Sequence, residues 1–122
     1  MSSMAETTVL VVDDHPSFRA TARAMLECEG FLVVGEAEDG ATAVKAAATL
    51  KPDLVLLDVQ LPDMDGFEVT RRLQALNGSR PQVVLTSSRD GADYGTLIEE
   101  SAALGFVPKG ELSGTALSEL LR

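Results

Sequence analysis

The sequence predicts an α/β fold: a single doubly wound parallel sheet of five strands, built as (βα)5. Five short apolar runs alternate with stretches of helical periodicity, strand then helix, along the chain. The runs are apolar throughout rather than alternating, as suits strands covered on both faces. Several of them close on a polar residue. Val9-Leu10-Val11-Val12 runs into Asp13 and Asp14, Leu54-Val55-Leu56-Leu57 into Asp58, Val83-Val84-Leu85 into Thr86, and Phe106-Val107-Pro108 into Lys109. Ligands of open parallel sheets bind outside the carboxyl ends of the strands. These distant residues are therefore expected to converge on one edge of one sheet.

Residues 9–12 form the first strand. Phe18, Ala22, Met25 and Leu26 then recur at helical spacing. Gly30 precedes a second strand at Leu32-Val33-Val34. Asp39-Gly40 opens a second helix, with Val44, Ala47 and Ala48 expected on one face, and Lys51-Pro52 ends it because proline cannot continue a helix. Residues 54–57 are the third strand. The stretch Leu61-Pro62-Asp63-Met64-Asp65-Gly66 reads as a loop, with Gly66 easing φ in a turn. Val69, Leu73 and Leu76 mark a third helix ended by Asn77-Gly78. Residues 83–85 are the fourth strand. Leu97 and Ile98 lie in a fourth helix weakened by Gly91 and Gly95, each interior glycine costing roughly 1 kcal/mol against alanine. Phe106-Val107 is a short fifth strand, and Leu117, Leu120 and Leu121 form the inner face of a last helix.

The 122 residues suit one domain, residues 1–122, with 1–7 expected to be disordered or an added leader. Hydrophobic residues make up 45% and there is no Trp, so the core is aliphatic. No apolar run approaches the roughly 18 residues of a membrane span, and the polar start lacks the regions of a signal peptide. A cytoplasmic protein without membrane association is expected. The net charge of −9 repels phosphate backbones, which argues against nucleic-acid binding by this domain. Cys28 is the single cysteine, read as a packed or idle thiol.

Three carboxylates gathered at one sheet edge repel each other, and a cation relieves that repulsion. Carboxylate oxygens without a His or Cys ligand suit Mg2+ or Mn2+, which are commonly shared with phosphate oxygens. Phosphate chemistry also needs an acceptor, hydrogen-bond donors and a positive charge. Asp58 can accept a phosphoryl group as an acyl phosphate, Thr86 and its backbone can donate, and Lys109 supplies the charge. No G-x-G-x-x-G, Walker A or G-x-S-x-G motif is present. His15, ahead of Pro16 at a helix start, is read as a half-exposed loop residue.

These residues carry a resemblance. Val9 to Asp14, the stretch Leu54-Val55-Leu56-Leu57-Asp58-Val59-Gln60-Leu61-Pro62-Asp63-Met64-Asp65-Gly66, Thr86-Ser87 and Lys109 agree in order and spacing with the receiver domain of two-component response regulators. The similarity extends over essentially the whole chain. Asp13-Asp14-His15-Pro16-Ser17-Phe18-Arg19 looks most like receivers that precede a LuxR-type helix-turn-helix domain. The resemblance implies a flavodoxin/CheY-like sheet of strand order 2-1-3-4-5. It implies Asp58 as phosphoacceptor, served by a sensor histidine kinase or a phosphotransfer protein of a phosphorelay. Asp14, Asp58 and the backbone carbonyl of Gln60 would ligate Mg2+ (or Mn2+) directly, with Asp13 acting through a bound water. Lys109 would contact the acyl phosphate, Thr86 would turn inward to it, and Phe106 would follow. The readout would be the surface of the fourth helix, fifth strand and fifth helix, acting on a downstream output domain or protein and offering a face for a phosphorylation-dependent dimer. Catalysis would be confined to the domain's own phosphorylation and dephosphorylation. Phe106 stands where Tyr is frequent, and Pro108 precedes the lysine where many relatives have proline after it. Gln60 and Ser88 flank the position of the water that attacks the acyl phosphate.

Two other functions fit the fold. A phosphorylation-independent interaction module usually lacks one of Asp13, Asp14, Asp58, Thr86 and Lys109, and this chain has all five. A phosphatase of the haloacid dehalogenase type needs a second acid two residues after its nucleophile, where this chain has Gln60.

Overall fold

The side chains of Val9, Leu10, Val11 and of Leu54, Val55, Leu56, Leu57 are completely screened from solvent, and they define the two central strands. The computed structural model describes residues 7–78 and 80–121. Of the leader expected at 1–7, residues 1–6 lie outside that description; Thr7 lies within it, its carbonyl accepting from Leu32 N–H at 2.9 Å. The strands are β1 (Thr8–Val12), β2 (Leu32–Ala37), β3 (Leu54–Asp58), β4 (Gln82–Ser87) and β5 (Gly105–Pro108). All pair in parallel, in the order β2-β1-β3-β4-β5. The helices between them are α1 (Pro16–Cys28), α2 (Gly40–Leu50), α3 (Gly66–Gln74), α4 (Leu97–Glu100) and α5 (Gly114–Leu121), with short 3-10 turns at Gly91–Tyr94 and Lys109–Glu111.

Alternation along each strand divides the core into two layers. Leu10, Val12, Val55, Leu57, Val83 and Leu85 pack with Ala43 and Ala47 of α2 and Val69 and Leu73 of α3. Val9, Val11, Leu54, Leu56, Val84 and Val107 pack with Ala22 and Leu26 of α1 and Leu117 of α5. Each such Leu or Val contributes about 1.5–3 kcal/mol by leaving water. The central strands are thus apolar for the expected reason. β2 departs from it: as an edge strand it leaves Leu32 43% exposed.

Local signals set the helix ends. Pro16 occupies the first turn of α1, where its missing N–H costs nothing. Asp39 caps α2 by accepting from Thr42 N–H at 2.8 Å. Lys51 ends α2 in the left-handed region at φ 50°. Asp65 caps α3, accepting from Glu68 N–H at 2.8 Å. Asp63 adds a longer link, accepting from Gly40 N–H (2.8 Å) and Ala41 N–H (2.9 Å), and so fastens the loop after β3 to the start of α2.

Three expectations are corrected. The inner face of α2 is Gly40, Ala43 and Ala47 with Val44 half-buried; Ala48 is exposed, because the helix is rotated toward the small residues that let it approach the sheet. α3 ends at Gln74, so Leu76 packs on the core from the turn that follows. Gly66 does not ease a turn. It opens α3, where a Cβ would sit 2.8 Å from the Asp58 carbonyl oxygen and 2.9 Å from Val59 Cα. The fourth helix is as weak as expected, a single turn at Leu97–Glu100 with Leu97 49% exposed.

Candidate functional site

Strand register brings the site together. Asp58 lies opposite Thr86 at the end of the β3–β4 pair, and Ser87 lies opposite Pro108, the residue before Lys109. Asp13 directly follows β1, its N–H bonded to the Ala37 carbonyl at 3.0 Å. The five polar residues therefore occupy one edge of the sheet. The terminal carboxylate and lysine groups then meet. Lys109 Nζ is 2.6 Å from Asp13 Oδ2 and 3.4 Å from Asp58 Oδ2. Asp13 Oδ2 is buried and, among the described residues, finds no well-directed hydrogen bond, so its contact with the ammonium is an ion pair. Phe18 of α1 holds the lysine from below, its ring centroid 4.3 Å from Nζ.

Burial and charge act on these groups in opposite senses. Asp58 is 3% exposed. Burial, aided by the charge of Asp13 and opposed by the Gln60 N–H and Lys109, pushes its pKa up to about 6. Asp13 is also buried, which by itself raises its pKa. The contact with Lys109 and the His15 N–H at 2.8 Å outweigh that, and the carboxyl falls below its ordinary value. The two acids hold Lys109 above its ordinary pKa although burial opposes its charge. The site is thus a buried carboxylate pair with one ammonium.

Asp14 is the exposed member and opens the group to solvent. One ligand atom from each of Asp13, Asp14, His15 and Asp58 lies within 4.8 Å of all the others. A buried carboxylate with one oxygen lacking a directed hydrogen bond, beside a carboxyl driven toward protonation, is an arrangement that a divalent cation would relieve. The oxygen donors suit Mg2+ or Mn2+. One expectation is corrected here: the group is not free of histidine. His15 Nδ1 lies 3.0 Å from Asp13 Oδ1 and 3.1 Å from Asp14 Oδ1, the ring turning back over the acids while 65% of it stays exposed. Gln60 is positioned by its N–H, which donates to Asp58 Oδ1 at 3.1 Å.

Thr86 is fully buried, and its hydroxyl donates to the Val107 carbonyl at 2.7 Å rather than to Asp58. Phe106 is half-buried and packs against Tyr94, centroids 5.9 Å apart, and Tyr94 in turn meets Phe67 at 5.8 Å. The Tyr94 hydroxyl pairs with Ser87 Oγ at 2.7 Å. The hydroxyl that Phe106 lacks is thus present nearby on a different element. Nothing in the local pattern around Tyr94 marks it, because its turn has no apolar periodicity. Cys28 is exposed at the end of α1 and far in the fold from this edge.

The model of the response regulator receiver domain family matches residues 9–121. The chain is 42% identical over 113 residues to a protein of Pseudomonas aeruginosa named as a transcriptional regulator, covering 93% of this chain and 52% of that one. It is 40% identical over 103 residues to BvgA of Bordetella pertussis, named as a positive regulator of virulence-factor transcription, covering 84% of this chain and 49% of the relative. The chain therefore spans about half the length of the curated relatives it matches. Among solved structures, the receiver domain of NarL from Mycobacterium tuberculosis superposes with a TM-score of 0.80 at 32% identity, covering 97% of this chain and 98% of that one. A LuxR-family response regulator from an Aurantimonas species superposes at 0.83 with 28% identity, covering 96% and 86%.

Proposed function

The chain belongs to the response regulator receiver domain family, and from that membership we propose that it is a phosphoacceptor switch of a two-component signalling system. Residues 1–122 are read as one receiver domain. The observation that carries the reading is Asp58, a buried carboxylate at a strand end with a lysine ammonium 3.4 Å away. A carboxylate in that place can attack a phosphorus centre while the ammonium balances the incoming negative charge.

Asp58, Asp14 and the Gln60 carbonyl would hold Mg2+ (or Mn2+) directly, and Asp13 would do so through water. When bound, the cation would draw together the carboxylate and the phosphoryl oxygens and offset their repulsion. The chain's own residues do the rest. Asp58 Oδ forms the bond to phosphorus as the donor's leaving group departs. Lys109 moves from Asp13 toward the acyl phosphate. Thr86 exchanges the Val107 carbonyl for a phosphoryl oxygen, and Phe106 follows into the vacated space. A phosphoryl group that binds one arrangement better than the other shifts the equilibrium between them. The altered surface is that of α4, β5 and α5, where a downstream output domain or protein, or a second copy, would dock. The donor is a sensor histidine kinase or a phosphotransfer protein in the cytoplasm. The domain acts on itself and has no external substrate to turn over.

The test is the intact mass after incubation with acetyl phosphate and Mg2+, beside Asp58→Asn. One added phosphoryl group on the parent alone is expected. No addition to the parent, under quench conditions fast enough to trap a short-lived acyl phosphate, favours a module that signals without phosphate.

A further inference from the structure

We propose that Arg19 is a positioning residue for the cation site, a role that rests on the functional reading above. Its guanidinium reaches from α1 to the backbone of the acidic loop, NH1 donating to the Asp13 carbonyl oxygen at 2.7 Å. The same guanidinium donates from Nε to Glu36 Oε1 on β2 at 3.0 Å. Glu36 is held from its other oxygen by Arg23 Nε at 2.8 Å. Arg19 is itself 18% exposed and so is largely withdrawn from water.

The consequence is a clamp on the backbone of one residue, holding the peptide on either side of it. Asp13 N–H is tied to Ala37 of β2, and Asp13 C=O is tied through Arg19 to Glu36 of the same strand. The backbone that aims the side chains of Asp13 and Asp14 is thereby fixed against an element that carries no ligand. Such outer supports orient ligand groups, and their removal commonly lowers metal affinity about 10–100-fold.

Charge explains why Glu36 belongs to the clamp. A lone guanidinium beside a cation site would repel the cation. Glu36 offsets that charge at 3.0 Å while Arg23, one turn further along α1, stabilises the carboxylate. Lysine could not replace Arg19, because an ammonium presents no planar fork to span a carbonyl and a carboxylate together.

Arg23 supplies the control. It bonds the same Glu36 but makes no contact with Asp13, so Arg23→Met disturbs the network without releasing the loop. The experiment is calorimetric titration of Mg2+ alone into the parent, Arg19→Met, Arg19→Lys and Arg23→Met, with thermal melting of each in chelator. Arg19→Met is expected to bind Mg2+ about 10-fold more weakly while still melting cooperatively. Arg19→Lys is expected to recover a minor part of that loss, and Arg23→Met to stay within about 2-fold of the parent. Equal Mg2+ affinity in Arg19→Met and the parent overturns the positioning role alone. An equal loss in Arg23→Met overturns it too, since the effect would then follow the Glu36 network and not the loop. A parent that binds no Mg2+ overturns the functional reading and this one with it.

Discussion

Lys109 sits closer to Asp13 than to Asp58, its ammonium 2.6 Å from the first carboxylate and 3.4 Å from the second. The lysine that would contact the phosphoryl group on Asp58 thus rests on the neighbouring acid. That resting contact balances a fully buried charge. Removing one partner of a buried pair is costly because the other is stranded. Lys109→Met is therefore expected to destabilise the protein by about 2 kcal/mol in chelator. Mg2+ should recover much of the loss, since a cation replaces the missing ammonium. Urea unfolding with and without Mg2+ checks both. A variant as stable as the parent in chelator would contradict the pairing.

The pKa of Asp58 makes stability depend on pH with a definite sign. In the unfolded chain an Asp ionises near about 3.9. In the folded protein burial raises Asp58 to about 6. The folded state therefore binds the proton more tightly, and the stability this supplies is complete below about pH 4 and is lost as pH rises through about 6. Asp58→Asn carries no charge to bury. Measured in chelator, the variant should gain on the parent between pH 4 and 6 and keep a lead of on the order of 2 kcal/mol above that. A stability difference that stays flat from pH 4 to 8 would rule this out.

Gly66 faces the backbone of Asp58, the proposed phosphoacceptor. A methyl group there would press on the Asp58 carbonyl oxygen and on Val59 Cα, and neither is a side chain able to turn aside. Gly66→Ala is expected to cost about 1–3 kcal/mol by overpacking. It should also slow phosphorylation from acetyl phosphate, because the strain is relieved by moving Asp58. Unfolding midpoints and intact-mass time courses measure the two effects, and an unstrained, fully active variant would refute the contact.

Tyr94 ties the loose segment after β4 to the strand end beside Thr86. Its hydroxyl pairs with Ser87, and Ser87 also accepts from Arg89 N–H at 3.0 Å. Tyr94→Phe keeps the ring between Phe67 and Phe106 and removes only the hydrogen bond. A loss of about 1 kcal/mol is expected, concentrated in faster amide exchange over residues 91–94. Unchanged exchange there would show that the ring alone anchors the turn.

Much of this molecule is legible in the sequence for local reasons. Buried strands such as residues 9–12 and 54–57 announce themselves by unbroken apolar runs. Asp39, Pro16 and Lys51-Pro52 mark helix ends by chemistry confined to a few neighbouring residues. Helix faces were less legible, as Ala48 and Leu76 show, because a small rotation or an early end leaves the periodicity intact. The weakness of the fourth helix was legible from Gly91 and Gly95, although the structure places them in and at the end of the preceding 3-10 turn rather than inside the helix.

The sequence by itself determined the order of elements and the polar residues at the strand ends. Because parallel strands align their carboxyl ends, it also determined that these residues share one edge. Tertiary structure alone decided how they meet there. That Lys109 pairs more closely with Asp13 than with Asp58, that His15 turns back over two acids, that Arg19 reaches the Asp13 carbonyl and that Gly66 must lack a side chain all depend on register and rotamer between segments distant in the chain. Local propensity carries no record of such pairings, since each partner's environment is created only when the sheet and its two helical layers close.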